Sequence, residues 1–114
     1  MDWLVGLEDA KRAPIPAGKR SALLMAHGSM TLRYYAPEGH DPQTPHDQDE
    51  IYIVVTGSGT FALGRDETSL ERRPFAPGDA IFAPAGWVHR FERFAPDFAT
   101  WVVFWGPPGG EADA

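Results

Sequence analysis

Residues His46 to Gly57 read HDQDEIYIVVTG, a histidine and three acids running directly into β-branched and aromatic residues. If Glu50 to Val55 form a strand, alternation puts Glu50, Tyr52 and Val54 on one face, and His46 and Gln48 join them if the extended run continues backwards. The opposite face, Ile51, Ile53 and Val55, is wholly apolar. A strand that is apolar on one side and carries Glu50 among aromatic and apolar neighbours on the other is buried on both. A buried carboxylate without a partner is costly or loses its charge. Glu50 therefore predicts a cation or a hydrogen-bond partner beside it. The stretch GDAIFAPAGWVHRF supplies one, because Pro84-Ala85-Gly86 turns the chain and delivers His89 at the head of another strand.

The elements that must hold these residues are short. Twelve glycines and eleven prolines leave no long window for a helix, while stretches rich in Val, Ile, Phe, Trp and Tyr lie between them. Strands are expected near Ala22–Met25, Met30–Tyr35, Ile51–Thr56, Thr60–Leu63, Ala80–Ala83, His89–Arg93 and Phe98–Trp105, with a helical turn around Trp3–Lys11. Thr56-Gly57-Ser58-Gly59 reads as a hairpin turn, and Pro77-Gly78 has the order of a type II turn. This is an all-β chain of the sandwich, jelly-roll or barrel kind. At 114 residues it is read as a single domain over 1–114, with a short N-terminal arm (1–20) and a C-terminal tail (106–114).

Composition excludes several classes. The net charge is −6 and no basic run exceeds two residues, which argues against nucleic acid or an anionic membrane as partner. There is no cysteine, hence no disulfide, thiolate metal site or cysteine nucleophile. The first twenty residues lack a continuous apolar stretch of signal-peptide type, and no segment has the length and apolarity of a membrane span, so a soluble cytoplasmic protein is expected.

Gly78, Pro84, Gly86 and His89 stand at the spacing G-x5-P-x-G-x2-H, and His46, Glu50 and Gly57 stand at the separations of the later part of G-x5-H-x-H-x3-E-x6-G. In these residues the chain resembles the cupin superfamily, over a motif region of 39–93. Two positions depart from the first motif: its opening glycine falls one residue late, at Gly39, and Thr44 stands where the first histidine belongs. The resemblance implies a cupin-type jelly-roll β-barrel, also called a double-stranded β-helix, with a site inside the barrel where the two motifs converge. It also implies a divalent metal, Fe, Mn, Ni or Zn, on His46, Glu50 and His89, a set that leaves open positions. Both imidazoles must be neutral to bind, so occupancy is expected to fall as pH drops below about 6.5.

With Thr44 a poor ligand, Gln48 is the fourth-ligand candidate by parity, and Asp47, Asp49 or His40 become candidates if a bulge shifts the register. Asp47 and Asp49 are otherwise solvated loop charges, and His27 and His40 ordinary surface or loop histidines. Tyr52, Arg33 and Tyr35 are the polar candidates for catalysis or for meeting an anionic group, and Phe91 shares the His89 face. Trp101, Phe104 and Trp105 are assigned to core or interface. The functional expectation is a small metal-dependent enzyme acting on a small organic substrate, of oxygenase, isomerase or lyase type. A non-catalytic module binding a small-molecule ligand, and a metal-free structural domain, are the alternatives. The apolar faces of Ile51, Ile53 and Val55 and of Phe98–Trp105 exceed what so small a barrel can cover, which predicts a homodimer.

Overall fold

The computed structural model describes residues 2–112. A six-residue helix α1 (Leu7–Arg12) precedes eight strands: β1 (Ala22–His27), β2 (Met30–Tyr35), β3 (Asp49–Thr56), β4 (Gly59–Gly64), β5 (Glu71–Phe75), β6 (Ala80–Ala83), β7 (Val88–Glu92) and β8 (Ala99–Trp105). The seven expected strands are present, with ends displaced by a few residues. The eighth, β5, reads Glu-Arg-Arg-Pro-Phe and lacks an apolar signature because it lies on a sheet edge, where charge and proline are tolerated.

The strands form two antiparallel sheets, one in the order β1-β2-β8-β3-β6 and the other β5-β4-β7. This is the jelly-roll architecture expected. Their facing sides enclose one core of Tyr35, Tyr52, Val54, Phe61, Phe75, Phe91, Phe98 and Val102. In the five-stranded sheet, register aligns Arg33, Val102, Tyr52 and Ile81 in one inward row and Thr31, Phe104, Glu50 and Ala83 in the next. Glu50 therefore lies in the middle of a packed interior, one row from Tyr52.

On the outside of the same sheet, α1 and the residues before it cover Tyr34, Val55, Ala99 and Trp101 with Ala10, Val5 and Leu7. The turn between β3 and β4 requires glycine at Gly57 for two reasons. Its φ is +79°, and a Cβ there would lie 2.5 Å from the Cα of Phe98. The expected type II turn at Pro77-Gly78 is also found, with Gly78 at φ +91° and Asp79 N donating to Ala76 O. No helix among the described residues is long and apolar enough to cross a membrane.

Candidate metal centre

The turn Pro84-Ala85-Gly86-Trp87 organises the site. Its own closing bond runs from Trp87 N to Pro84 O, and Gly86 takes φ +79°. Gly86 N then donates to His46 O at 2.7 Å, Ala85 N donates to Asp49 Oδ1 at 2.9 Å, and Trp87 O lies 3.0 Å from His89 Nδ1. One turn thus fixes the backbone of His46, the start of β3 and the ring of His89. The carbonyl of Trp87 can only accept, so Nδ1 of His89 carries the proton.

These constraints bring His46, Glu50 and His89 together, with one ligand atom from each lying within 4.8 Å of the others. Glu50 Oε1 lies 2.6 Å from His89 Nε2, 3.2 Å from His46 Nδ1 and 2.9 Å from the Tyr52 hydroxyl, which donates to it. Glu50 and His89 are 1% and 2% exposed. Despite its closeness, the His89–Glu50 contact is not directed as a hydrogen bond, and both His89 Nε2 and Glu50 Oε2 lack a hydrogen-bond partner. With its proton on Nδ1, a neutral His89 presents a bare lone pair to a carboxylate oxygen. Two acceptors this close need positive charge between or beside them, either a proton or a metal ion. The donor set, two imidazoles and one carboxylate, fits a divalent transition metal.

The protonation balance reflects the same crowding. Burial alone would raise the Glu50 pKa, but the two imidazoles outweigh it and hold the carboxyl below its ordinary range. Burial alone would lower His89, but the Glu50 carboxylate 2.6 Å from its Nε2 raises it overall. Tyr52 is pushed well up by burial and then by the charge of Glu50, and Tyr35 is pushed up by burial and by Asp41. Neither phenol ionises near neutrality.

A polar relay supports the cluster from behind. Tyr52 Oη also lies 2.9 Å from Gln43 Oε1, and Gln43 Nε2 donates to Asp41 Oδ2. Asp41, itself buried, accepts from the Tyr35 hydroxyl and from Phe91 N. Asp41 and Gln43 have no signal in the sequence, since they come from an irregular loop whose path is set only by these contacts.

Several expectations are corrected. Gln48 is not a fourth ligand: the chain bends at Asp47–Gln48, which breaks the alternation, and the Gln48 amide donates to Ser29 O and Gly106 O instead. Asp49 is not a solvated charge but is 6% exposed, accepting from Ala85 N and Glu111 N. Phe104 is more than core, because its ring packs edge-on against His46 at 4.9 Å. Arg33 faces inward opposite Val102 but does not line the cavity beside His46, whereas Arg20 does. Tyr35 lines that cavity too, with its hydroxyl proton committed to Asp41. Asp47 and His40 are exposed in the loop before β3, His27 is exposed at the end of β1, and Phe91 reaches the site wall, its ring 4.8 Å from Tyr52.

Among the described residues, a larger and a smaller cavity flank the interior. The larger, about 720 Å³, opens between the unpaired edges β5 and β6 and is lined by none of His46, Glu50 and His89. The smaller, about 130 Å³, opens onto His46 beside Thr44.

Residues 31–104 match the cupin domain family, and the chain belongs to it. It is similar to an uncharacterized protein of Streptomyces coelicolor, at 38% identity over 82 residues, which are 70% of this chain and 72% of that protein. Acireductone dioxygenase of Parvibaculum lavamentivorans is 37% identical over 65 residues, 56% of this chain and 35% of the enzyme. The crystal structure of a Bacillus halodurans protein shares the fold, with a TM-score of 0.72 at 19% identity over 94% of this chain and 83% of that one.

Proposed function

We propose that the chain is a small metal-dependent enzyme that binds Fe, Mn, Ni or Zn through His46, Glu50 and His89 and acts on a small organic substrate. The observation that carries the reading is the buried pair of partnerless atoms, His89 Nε2 and Glu50 Oε2, in a cluster whose neutral form sets acceptor against acceptor. The acireductone dioxygenase similarity supports the same chemical class, without extending that enzyme's substrate to this chain.

A divalent cation held there supplies Lewis-acid polarisation, and iron would add one-electron redox chemistry. The chain's own residues do the rest. Tyr52 steadies Glu50 by donating to Oε1, and the Trp87 carbonyl keeps His89 in the tautomer that frees Nε2. Phe104 packs its ring against His46, Phe61 faces the His89 ring and Phe91 the Tyr52 ring, so aromatic rings wall the inner side of the site.

Elemental analysis of untagged protein tests the reading. The expected result is close to one equivalent of metal in the wild type and loss of it in His46→Ala, His89→Ala and Glu50→Gln. Wild type that carries only traces, cannot be loaded, and matches those variants overturns it. A module that holds a ligand without turnover is the second reading, favoured by one observation: the Tyr35 hydroxyl donates to Asp41 and the Tyr52 hydroxyl to Glu50, and neither ionises near neutrality, so neither is a ready base.

The homodimer belongs to the same proposal. Although α1 covers Val55 and Trp101, the other end of the outer sheet face keeps Phe82 at 48% and Ile53 at 38% exposure, with Trp105 stacked beside Phe82. A second copy meeting this face across a two-fold axis would cover it.

A further inference from the structure

We infer that the cavity beside Thr44 recognises a short-chain organic acid, with its carboxylate held at Arg20 and its other end directed to the His46–Glu50–His89 cluster. The inference rests on the metal reading and adds the substrate class.

Charge points to an anion. Among the described residues, Arg20 is the one permanently ionised side chain in the cavity wall, and no carboxylate lines it. Its guanidinium is steadied by Nη1 donating to Pro42 O at 2.6 Å, and among the described residues it makes no ion pair. The field of Arg20 reaches inward, where it opposes the upward push on the Tyr35 phenol. A planar guanidinium with free N–H groups suits a planar carboxylate.

The polar lining is donor-rich for an incoming ligand. Gln43 Nε2 donates to Asp41, Gln43 Oε1 lies beside the Tyr52 hydroxyl, whose single proton goes to Glu50, and the Tyr35 proton goes to Asp41. The hydroxyls of Ser21 and Thr44 and the Arg20 guanidinium are the donors that face a ligand. Val102 and Phe104 supply an apolar wall for a short carbon chain.

Size narrows the class further. A cavity of about 130 Å³ is far below that of a drug-sized site and equals roughly the bulk volume of four waters. Acids of two to four carbons fit that space. Thr44 occupies the position where the motif has an imidazole, and its smaller side chain lines this opening, so the room a histidine would fill goes to the ligand.

Titration calorimetry of zinc-loaded protein with glycolate and lactate, against the isosteric uncharged glycolamide and lactamide, tests the inference, with zinc content measured on the same samples. The acids are expected to bind and the amides to bind at least about ten-fold more weakly. Arg20→Gln should cost the acids a similar factor, and Arg20→Lys, which keeps the charge but loses the planar fork, should bind them with an affinity between those of wild type and Arg20→Gln, while both variants keep their zinc. Equal binding of acid and amide, or acid binding unchanged in Arg20→Gln, overturns the inference while a full equivalent of zinc leaves the metal reading standing. If acids bind through Arg20 but no zinc is held, the metal reading has failed and the inference, which needs both ends, falls with it.

Discussion

Asp49 and Glu50 are adjacent in sequence, both buried, and face opposite sides of β3. Glu50 points into the barrel toward His46 and His89, and Asp49 points away, accepting from Ala85 N and from Glu111 N. The second carboxylate therefore clasps the turn that carries His89 to the C-terminal segment. Replacing Asp49 by Asn places an amide donor among backbone donors. The expected loss is about 1–3 kcal/mol in urea unfolding, with weaker metal binding because the turn that orients both histidines is loosened. Wild-type stability in Asp49→Asn would refute the clasp.

The pH dependence follows from the Glu50–His89 pair. In metal-free protein, His89 is raised above its ordinary 6.5, so its contribution to stability is complete below that value and fades as pH climbs through the raised one. Glu50 is lowered from 4.5, so its contribution is present above that value and fades as pH drops through the lowered one. Unfolding with a chelator present should show greatest stability from this pair between those limits. Metal needs His89 neutral, so affinity should begin to fall at a pH above 6.5, higher than an unperturbed histidine implies. Unfolding series with chelator and with zinc should thus diverge as pH rises, and parallel series would count against the pairing.

Tyr52→Phe isolates the hydroxyl from the ring. The ring is fully buried against Phe61 and Phe91 and stays packed, while Glu50 and Gln43 lose the group between them. A cost of about 1 kcal/mol in unfolding is expected, together with roughly ten-fold weaker metal binding measured by chelator competition. Loss of stability with no change in metal affinity would assign Tyr52 to packing alone.

Dimerisation through the outer sheet face predicts that sedimentation at micromolar concentration finds a species of twice the 12.5 kDa chain. Phe82→Glu, which puts charge at the most exposed large apolar side chain of that face, should shift it to monomer without lowering metal content. A wild type that sediments as a monomer would end the proposal.

Local pattern made much of this molecule legible. Alternation through Glu50, Tyr52 and Val54, turn chemistry at Pro77-Gly78 and Pro84–Gly86, and the separate motif spacings that hold His46 with Glu50 and Gly86 with His89 are properties of neighbouring residues, and the fold keeps each of them. Alternation does not extend across the break at Gln48, because a bend resets which way a side chain points. Strand β5 has no apolar signature, since its charges are stable only where an edge strand keeps one side in water.

Non-local pairing decided the rest. Phe104 meets His46 because β8 pairs with β3 in the register that sets Phe104 opposite Glu50, and a pairing across fifty-four positions leaves no trace in either segment. Arg20, rather than Arg33, reaches the cavity because the loop before β3 folds back so that Pro42 O accepts from it. Asp41, Gln43 and Asp49 acquire their roles the same way, as polar groups with no periodic signature until burial obliges each to find a partner. Residue types and short spacings settled which chemistry was available, and the closing of the two sheets decided which side chains share it, since burial and register depend on the whole chain at once.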